Sequence, residues 1–162
     1  NGLSDGAINT LTQPLDQDVW NPPTVFNYYP MDYIIPNTPL SGPEFQIFST
    51  GTALKRPNAI GVFAPANSAA TGGILAVAGA ASSIPCGTRI DLTRLQDLAT
   101  ADTTGVSLVD TLNRELMNGS MNPSVRTQIL NAVTAVVSTN PLKRARTALY
   151  LVTTAPQYQV QR

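Results

Sequence analysis

The amino-acid sequence predicts a mainly α protein: a small helical domain with a Pro- and aromatic-rich irregular wrap at its N-terminus. Apolar residues recur at helical spacing through the last third of the chain, and two Asn-Pro pairs stand where helices would begin. Prolines concentrated before residue 43 exclude regular helix there. The length of 162 residues suits one domain. We therefore expect a single domain over 1–162, with the extended wrap over 1–42 and the helical body over 43–162.

The wrap combines prolines with large apolar side chains. Each proline fixes its own φ and pushes the preceding residue out of the helical region, so residues 13–42 cannot form a regular helix. Aromatic residues are depleted in disordered chains, whereas this segment holds several, so we expect it to be ordered. We predict that it lies on the helical body through Phe26, Tyr29, Tyr33 and Ile35. Its prolines are Pro14, Pro22, Pro23, Pro30, Pro36 and Pro39.

The first helix is predicted to start at residue 43 and to run to about residue 56. The sequence SGPE at 41–44 supplies a serine that can cap, a proline suited to the first turn and a glutamate near the positive end of the helix. Pro57 then bends or ends this helix, and residues 58–64 can resume it. Residues 65–87, rich in Ala, Gly and Ser, indicate a loop or a packing surface of small residues. A short helix should follow, starting near Asp91 or Thr93.

The last third of the chain carries the clearest helical signals. Apolar residues recur there with helical period, and the first of three runs stops at Asn118-Gly119, a natural left-handed cap. Asn122-Pro123 and Asn140-Pro141 each supply an N-cap followed by a first-turn proline. The connections between the runs are short, which implies antiparallel neighbours. The predicted helices are 106–118, 122–138 and 141–155.

Composition excludes several classes of function. Ten Lys and Arg balance ten Asp and Glu, and charged residues form only 12% of the chain, so broad electrostatic capture of nucleic acid is not expected. The sequence has no His for a His-dependent triad, and its single cysteine, Cys86, allows neither an internal disulfide nor a multi-cysteine metal site. The longest apolar stretch, 72–81, is too short to span a bilayer. We expect no cofactor, no metal, no nucleic-acid partner and no membrane span, and we favour a chain without enzymatic activity of its own.

Carboxylates offer weak candidates for a site. Asp16 and Asp18 carry the oxygen ligands that calcium prefers, but their spacing matches no calcium loop, so we interpret them as solvated turn carboxylates or caps. Asp32 and Glu44 could form an acid–base pair, although nothing near them in the sequence indicates a raised pKa.

One basic concentration stands on the third of the predicted C-terminal helices. It consists of Lys143, Arg144 and Arg146. Three charges are too few to indicate nucleic-acid or phosphate binding. We interpret them as a solvated face or a salt-bridged seam of the helix.

The aromatic residues of the wrap support a sharper hypothesis. Exposed rings form flat, rigid contact surfaces for sugars or partner proteins, which makes Trp20, Tyr28, Tyr29 and Tyr33 the candidate binding residues. The competing interpretation is structural, because rings in a segment without regular backbone hydrogen bonds commonly fasten it to a folded body. Both interpretations stay open, and individual rings can divide between the two roles.

Two blocks of the sequence carry a family resemblance. The first block consists of QPL at 13–15, NPPTVFNYYP at 21–30, DY at 32–33 and GPEFQI at 42–47. The second block consists of LMNGSM at 116–121, NPL at 140–142, RAR at 144–146, YLV at 150–152 and QYQVQR at 157–162. Together they resemble the C-terminal part of the bacterial family called DUF1800. Members of this family are about three times longer or more, commonly begin with an export signal and are often encoded beside a DUF1501 family protein. The resemblance therefore implies a C-terminal fragment of an exported protein, located in the periplasm or outside the cell. The family has no established function, so no catalytic residue can be carried over.

Three classes of function remain open. The first is a structural or interaction module that contacts the remainder of its own precursor or copies of itself and so can self-assemble, with a DUF1501 family protein as a further candidate partner. The second is an extracellular domain that binds polysaccharide through the aromatic wrap. The third is a fragment of an enzyme whose catalytic groups lie upstream. We favour the first class, because it requires the fewest special residues of this sequence.

Overall fold

The computed structural model describes residues 12–22, 24–25, 27–63 and 91–159. These residues form a mainly α structure with six α-helices and no β-strand, which confirms the predicted fold class. The chain divides into two compact units, an N-terminal unit within residues 6–59 and a helical unit within residues 60–162. The small-residue run at 65–87, together with Cys86, lies outside the described residues, as does Phe26.

The N-terminal unit begins with irregular chain, as the prolines predict. A 3₁₀ turn spans Gln13–Leu15, and isolated antiparallel bridges join Thr24 to Asn27 and Ile34 to Ser41. Backbone hydrogen bonds close the second reversal, from the Gly42 amide to the Tyr33 carbonyl at 3.1 Å and from the Ile35 amide to the Leu40 carbonyl at 3.0 Å. Turns therefore replace the helical hydrogen bonds that proline cannot make.

Helix α1 spans Thr50–Phe63, and its start differs from the predicted one. Pro43–Gln46 forms only a 3₁₀ turn, and the helix begins after Ser49. The Ser49 hydroxyl accepts a hydrogen bond from the Thr52 amide at 3.1 Å, and the Thr52 hydroxyl accepts one from the Ser49 amide at 2.9 Å. This reciprocal cap satisfies two backbone donors, one more than a lone capping serine can. Pro57 lies inside α1 and does not end it.

The helical unit contains helices α2 to α6, and each of the three C-terminal helices predicted at 106–118, 122–138 and 141–155 is confirmed within three residues at either end. Asn122 accepts a hydrogen bond from the Ser124 amide at 2.8 Å, and Asn140 accepts one from the Lys143 amide at 3.0 Å, so both Asn-Pro pairs act as N-caps. The helices are α2 (Thr93–Ala101), α3 (Val106–Leu116), α4 (Pro123–Ala135), α5 (Pro141–Thr154) and the short α6 (Pro156–Gln159).

The core of this unit forms around α5, which packs against α2, α3 and α4. Burying these side chains supplies the hydrophobic stabilisation that the isolated helices lack, since short helices are marginal in water. The buried cluster consists of Ala99, Leu108, Val109, Leu112, Met117, Met121, Ile129, Val133, Ala148 and Val152.

Arg144 corrects the interpretation of the basic concentration as a solvated face. Its side chain is buried, whereas Lys143 beside it is exposed. Nε donates to the Val133 carbonyl at 3.2 Å, and Nη2 donates to the Thr103 carbonyl at 2.6 Å. The guanidinium therefore satisfies one carbonyl near the end of α4 and one between α2 and α3. The Val133 carbonyl also accepts a hydrogen bond from the Val136 amide at 3.2 Å, whereas Nη1 of Arg144 is buried and has no hydrogen-bond partner among the described residues. The two bonds therefore satisfy part of the buried guanidinium.

Asp102 caps the start of α3. Its carboxylate accepts hydrogen bonds from the Ser107 amide at 2.8 Å and from the Thr104 amide at 2.9 Å. Hydrogen bonds from the Ser107 backbone and the Thr104 side chain favour the charged form and hold the pKa of Asp102 well below its usual range.

Candidate binding site

The candidate site is a cavity of about 410 Å³ in the N-terminal unit. It brings together three of the four predicted binding residues, Trp20, Tyr28 and Tyr29. We call these three side chains and the cavity that they line the aromatic surface. Its volume falls in the range of ligand clefts in proteins. The full lining is Gln17, Val19, Trp20, Tyr28, Tyr29 and Ile47.

Trp20 is the most exposed large apolar residue of the site, with 95% of its surface open to solvent. Its φ is +61°, in the left-handed region, where a bulky side chain is unusual. Such a backbone conformation costs about 1–2 kcal/mol for a residue other than glycine, asparagine or aspartate. The fold therefore holds an indole outward in a strained conformation.

Tyr28 is fixed by its hydroxyl group, which donates a hydrogen bond to the backbone carbonyl of Asp18. This bond ties the turn at 27–29 to the chain just before Trp20. The Asp18 carboxylate in turn accepts a hydrogen bond from the Asn21 side chain at 3.0 Å. Since the hydroxyl hydrogen of Tyr28 is already used, Tyr28 can offer a ligand its aromatic ring and an acceptor oxygen but no donor.

Tyr29 and Ile47 complete the apolar lining. Tyr29 is 37% exposed, and Ile47 is buried. The hydroxyl of the buried Thr52 donates to the carbonyl of Ile47, so the first turn of α1 holds this part of the lining in place. Ile47 gave no signal in the sequence as a site residue, because an isoleucine beside a helix start is ordinarily a core residue.

Tyr33 does not line the cavity with the other three predicted residues. Its side chain is half-buried, and its carbonyl accepts hydrogen bonds from the Gly42 amide and from the Ser41 hydroxyl at 3.4 Å. Gly42 is buried close by, where an added Cβ would lie 2.8 Å from Cδ1 of Ile35. Tyr33 therefore belongs to the chain reversal at 33–42.

Several further large apolar side chains of the N-terminal unit are exposed. Val25 and Met31 expose 94% and 89% of their surfaces, and Ile34 and Leu40 are also exposed. Monomeric proteins rarely leave many such side chains uncovered in one region. The sequence gave no way to foresee this exposure, because a Pro-rich segment has no periodicity that distinguishes an inner from an outer face.

Other candidate chemistry finds little support in the described part of the chain. Within it, no group of three His, Cys, Asp or Glu side chains could hold a metal ion. Asp16 is exposed, and Asp32 is exposed as well, while the side chain of Glu44 lies outside the described residues. None of the helices described above is both long enough and apolar enough to cross a bilayer.

Comparison with known proteins identifies a family. The family model described as "Protein of unknown function (DUF1800)" matches residues 4–160, nearly the whole chain. No curated protein and no solved structure matches the chain.

Proposed function

Because the chain belongs to the DUF1800 family, whose description is only that of a protein of unknown function, we propose a function from the geometry of the N-terminal unit. The chain is a non-catalytic structural and interaction module. It binds a partner protein through the aromatic surface, and the helical unit forms a stable body with its own core.

The observation that carries this proposal is the exposure of Trp20 beside a cavity. A tryptophan with 95% of its surface in water gives up most of the hydrophobic stabilisation that its burial would provide. Tryptophan and tyrosine are also the residues most enriched at the energetic centres of protein interfaces. A strained backbone that holds the ring outward is consistent with selection for contact rather than for stability.

The surrounding side chains favour a protein partner over a sugar. Val25, Met31, Ile34 and Leu40 add exposed aliphatic surface in the same unit, which a protein can cover. Carbohydrate recognition needs several polar groups that hydrogen bond to hydroxyls, whereas the described lining residues include one side-chain amide, Gln17, beside five apolar or aromatic side chains.

Polysaccharide remains the second candidate ligand, because two tyrosines and a tryptophan around one cavity can stack on sugar rings. We also propose, from the family resemblance, an exported bacterial protein located in the periplasm or outside the cell. The remainder of the precursor, copies of this chain and a DUF1501 family protein are the proposed partners. The alternative that the chain is a fragment of an enzyme with catalytic groups upstream finds no supporting observation in the geometry of the site.

A displayed library of random 12-residue peptides and a panel of soluble polysaccharides test the proposal. Trp20 is the only tryptophan of the chain, so its fluorescence reports binding at the site directly. We expect selected peptides to bind the wild-type chain and to lose at least roughly 30-fold in affinity with Trp20→Ala, as interface hot spots do; binding to the variant is followed by calorimetry.

Leu54→Ala is the matched control. Leu54 lies on α1 in the same unit and is 71% exposed, but it does not line the cavity. Peptide affinity should be unchanged in this variant. Peptides that bind Trp20→Ala as tightly as the wild type, or binding restricted to polysaccharides, would contradict the proposal.

A further inference from the structure

Charge is distributed unevenly along the chain, although its formal net charge is zero. Residues 1–54 contain five acidic and no basic residues, whereas residues 55–162 contain five acidic and ten basic residues. The formal charges of the two parts at pH 7 are therefore −5 and +5. The acidic residues of the first part are Asp5, Asp16, Asp18, Asp32 and Glu44.

Two of these carboxylates adjoin the aromatic surface. Asp16 and Asp18 stand on either side of Gln17, which lines the cavity. Asp16 is exposed, and Asp18 lies two residues before Trp20 and accepts the Tyr28 hydroxyl at its carbonyl. The N-terminal unit, residues 6–59, contains four acidic residues and two basic ones, Lys55 and Arg56, so its formal charge is −2. The unit thus has a net negative charge, and the acidic residues adjacent in sequence to the cavity lining are Asp16 and Asp18.

Aromatic rings next to carboxylates form the environment that attracts a cation with an apolar stem. A guanidinium stacks on aromatic faces and is more weakly hydrated than an ammonium, so its transfer into an aromatic cavity is the less costly of the two. The N-terminal unit already contains one such contact, in which the Arg56 guanidinium lies 5.0 Å from the centre of the Phe48 ring. A contact between a guanidinium and an aromatic ring, the contact proposed for a partner, therefore already occurs within this unit.

We propose that the cavity beside Trp20 receives an arginine side chain from a basic segment of a separate partner protein. This inference rests on the proposed function and specifies the partner's chemistry. The guanidinium contacts Trp20 and the tyrosine rings, while Asp16 and Asp18 supply the attraction that brings a basic segment to the site. Apolar residues of the same segment cover the exposed aliphatic side chains of the N-terminal unit.

Three synthetic peptides of equal length test the inference. They share one sequence and differ at three positions, which carry arginine, lysine or glutamine, and binding is followed by the fluorescence of Trp20. The arginine peptide should bind roughly tenfold more tightly than the glutamine peptide, with the lysine peptide between them. Its advantage should shrink as salt rises from about 0.05 M to about 0.5 M, because salt screens exposed charges.

Variants that neutralise one carboxylate at a time test whether Asp16 and Asp18 cause the preference for the arginine peptide. Asp16→Asn should preserve the backbone conformation, since Asp16 has a φ of +59° that asparagine also adopts readily. This variant should lower the affinity for the arginine peptide several-fold and leave the affinity for the glutamine peptide unchanged. Asp18→Asn should add to this loss. Asp97→Asn, which removes an exposed carboxylate from α2, is the matched control and should leave all three affinities unchanged.

The outcomes separate this inference from the proposed function. If glutamine and arginine peptides bind equally and both depend on Trp20, the aromatic surface binds protein but the basic partner is wrong. If none of the three changes the fluorescence of Trp20 while a polysaccharide does, both proposals fail. If light scattering shows a dimer that the arginine peptide dissociates, the basic segment belongs to a second copy of this chain, and the choice of a separate partner is wrong.

Discussion

In the helical unit, Leu108, Val109 and Val133 have no surface open to solvent, whereas in the N-terminal unit Trp20 and Val25 are more than nine-tenths exposed. The difference follows from the backbone. A helix satisfies its own hydrogen bonds and presents one apolar face, so α3, α4 and α5 can bury that face against one another. A Pro-rich chain satisfies its backbone by turns, and the turns leave large side chains on the outside.

Under the proposed function, the two units have different roles. In that proposal, the helical unit contributes stability through its buried core, and the N-terminal unit presents exposed side chains to a partner. The following substitutions test this division, because a residue of the core should affect unfolding and a residue of the aromatic surface should affect binding.

The largest effect is expected in the core of the helical unit. Leu108→Ala removes a fully buried side chain and leaves a cavity, so it should lower the free energy of unfolding by roughly 2–5 kcal/mol. Leu40→Ala makes the same chemical change at a 62% exposed position of the N-terminal unit. It should change the free energy of unfolding by less than about 0.5 kcal/mol. Urea unfolding followed by circular dichroism measures both. Equal losses of unfolding free energy in the two variants would contradict the contrast between a buried core in the helical unit and exposed side chains in the N-terminal unit.

The second effect concerns the buried guanidinium of Arg144. Arg144→Met fills a similar volume but removes the side-chain donor to the Thr103 carbonyl and one of the two donors to the Val133 carbonyl, which should cost roughly 1–3 kcal/mol of unfolding free energy. Lys143→Met, at the exposed neighbouring position, serves as the control and should have little effect. A stabilised Arg144→Met variant would show that desolvation of the charge outweighs its two hydrogen bonds.

The third effect is the cap of α3. Asp102→Ala should cost about 1 kcal/mol near neutral pH, because it removes the acceptor of the Ser107 and Thr104 amides. The folded-state pKa of Asp102 lies below the ordinary value of 3.8, so the carboxylate stabilises the fold above that pH and loses this contribution as the pH falls below it. The difference between wild type and variant should therefore shrink in acid. A difference that is independent of pH down to the acid limit of folding would argue against a charged cap.

The smallest effect has the opposite sign and lies in the N-terminal unit. Trp20→Asn relieves the left-handed strain, since asparagine tolerates that conformation, and should raise the unfolding free energy by less than about 1 kcal/mol. Trp20→Ala keeps the unfavourable backbone and should give no such gain. Peptide binding should be lost in both variants. If Trp20→Asn instead destabilises the fold by as much as a core substitution, the indole is a packing residue and not a binding residue.

The sequence predicted the helical unit better than the N-terminal unit for a physical reason. The N-caps Asn122 and Asn140 act within a few residues of chain, so local sequence is enough to place α4 and α5. The start of α1 was misplaced because two overlapping signals competed, and the reciprocal cap of Ser49 and Thr52 prevailed over the SGPE sequence. Arg144 was misassigned because its burial depends on carbonyls that lie 11 and 41 residues away in the chain.

The candidate site was predicted in composition but not in geometry. Aromatic residue types pointed to Trp20, Tyr28 and Tyr29, which the fold does bring together around one cavity. The left-handed conformation of Trp20 had no signal, because positive φ is expected at glycine or asparagine. Contact between the segment 13–42 and the helical body stays a prediction, as do the single domain and the bounds of wrap and body.

The account depends most on the exposure of Trp20, and the emission spectrum of this single tryptophan tests it directly. The spectrum is measured at a concentration where light scattering reports a monomer, before and after unfolding in urea. We predict that the native emission maximum coincides with that of N-acetyltryptophanamide in the same buffer and does not shift while circular dichroism records the loss of helix. A blue-shifted native maximum that moves to the red together with the loss of helix would place the indole in the core and contradict the account.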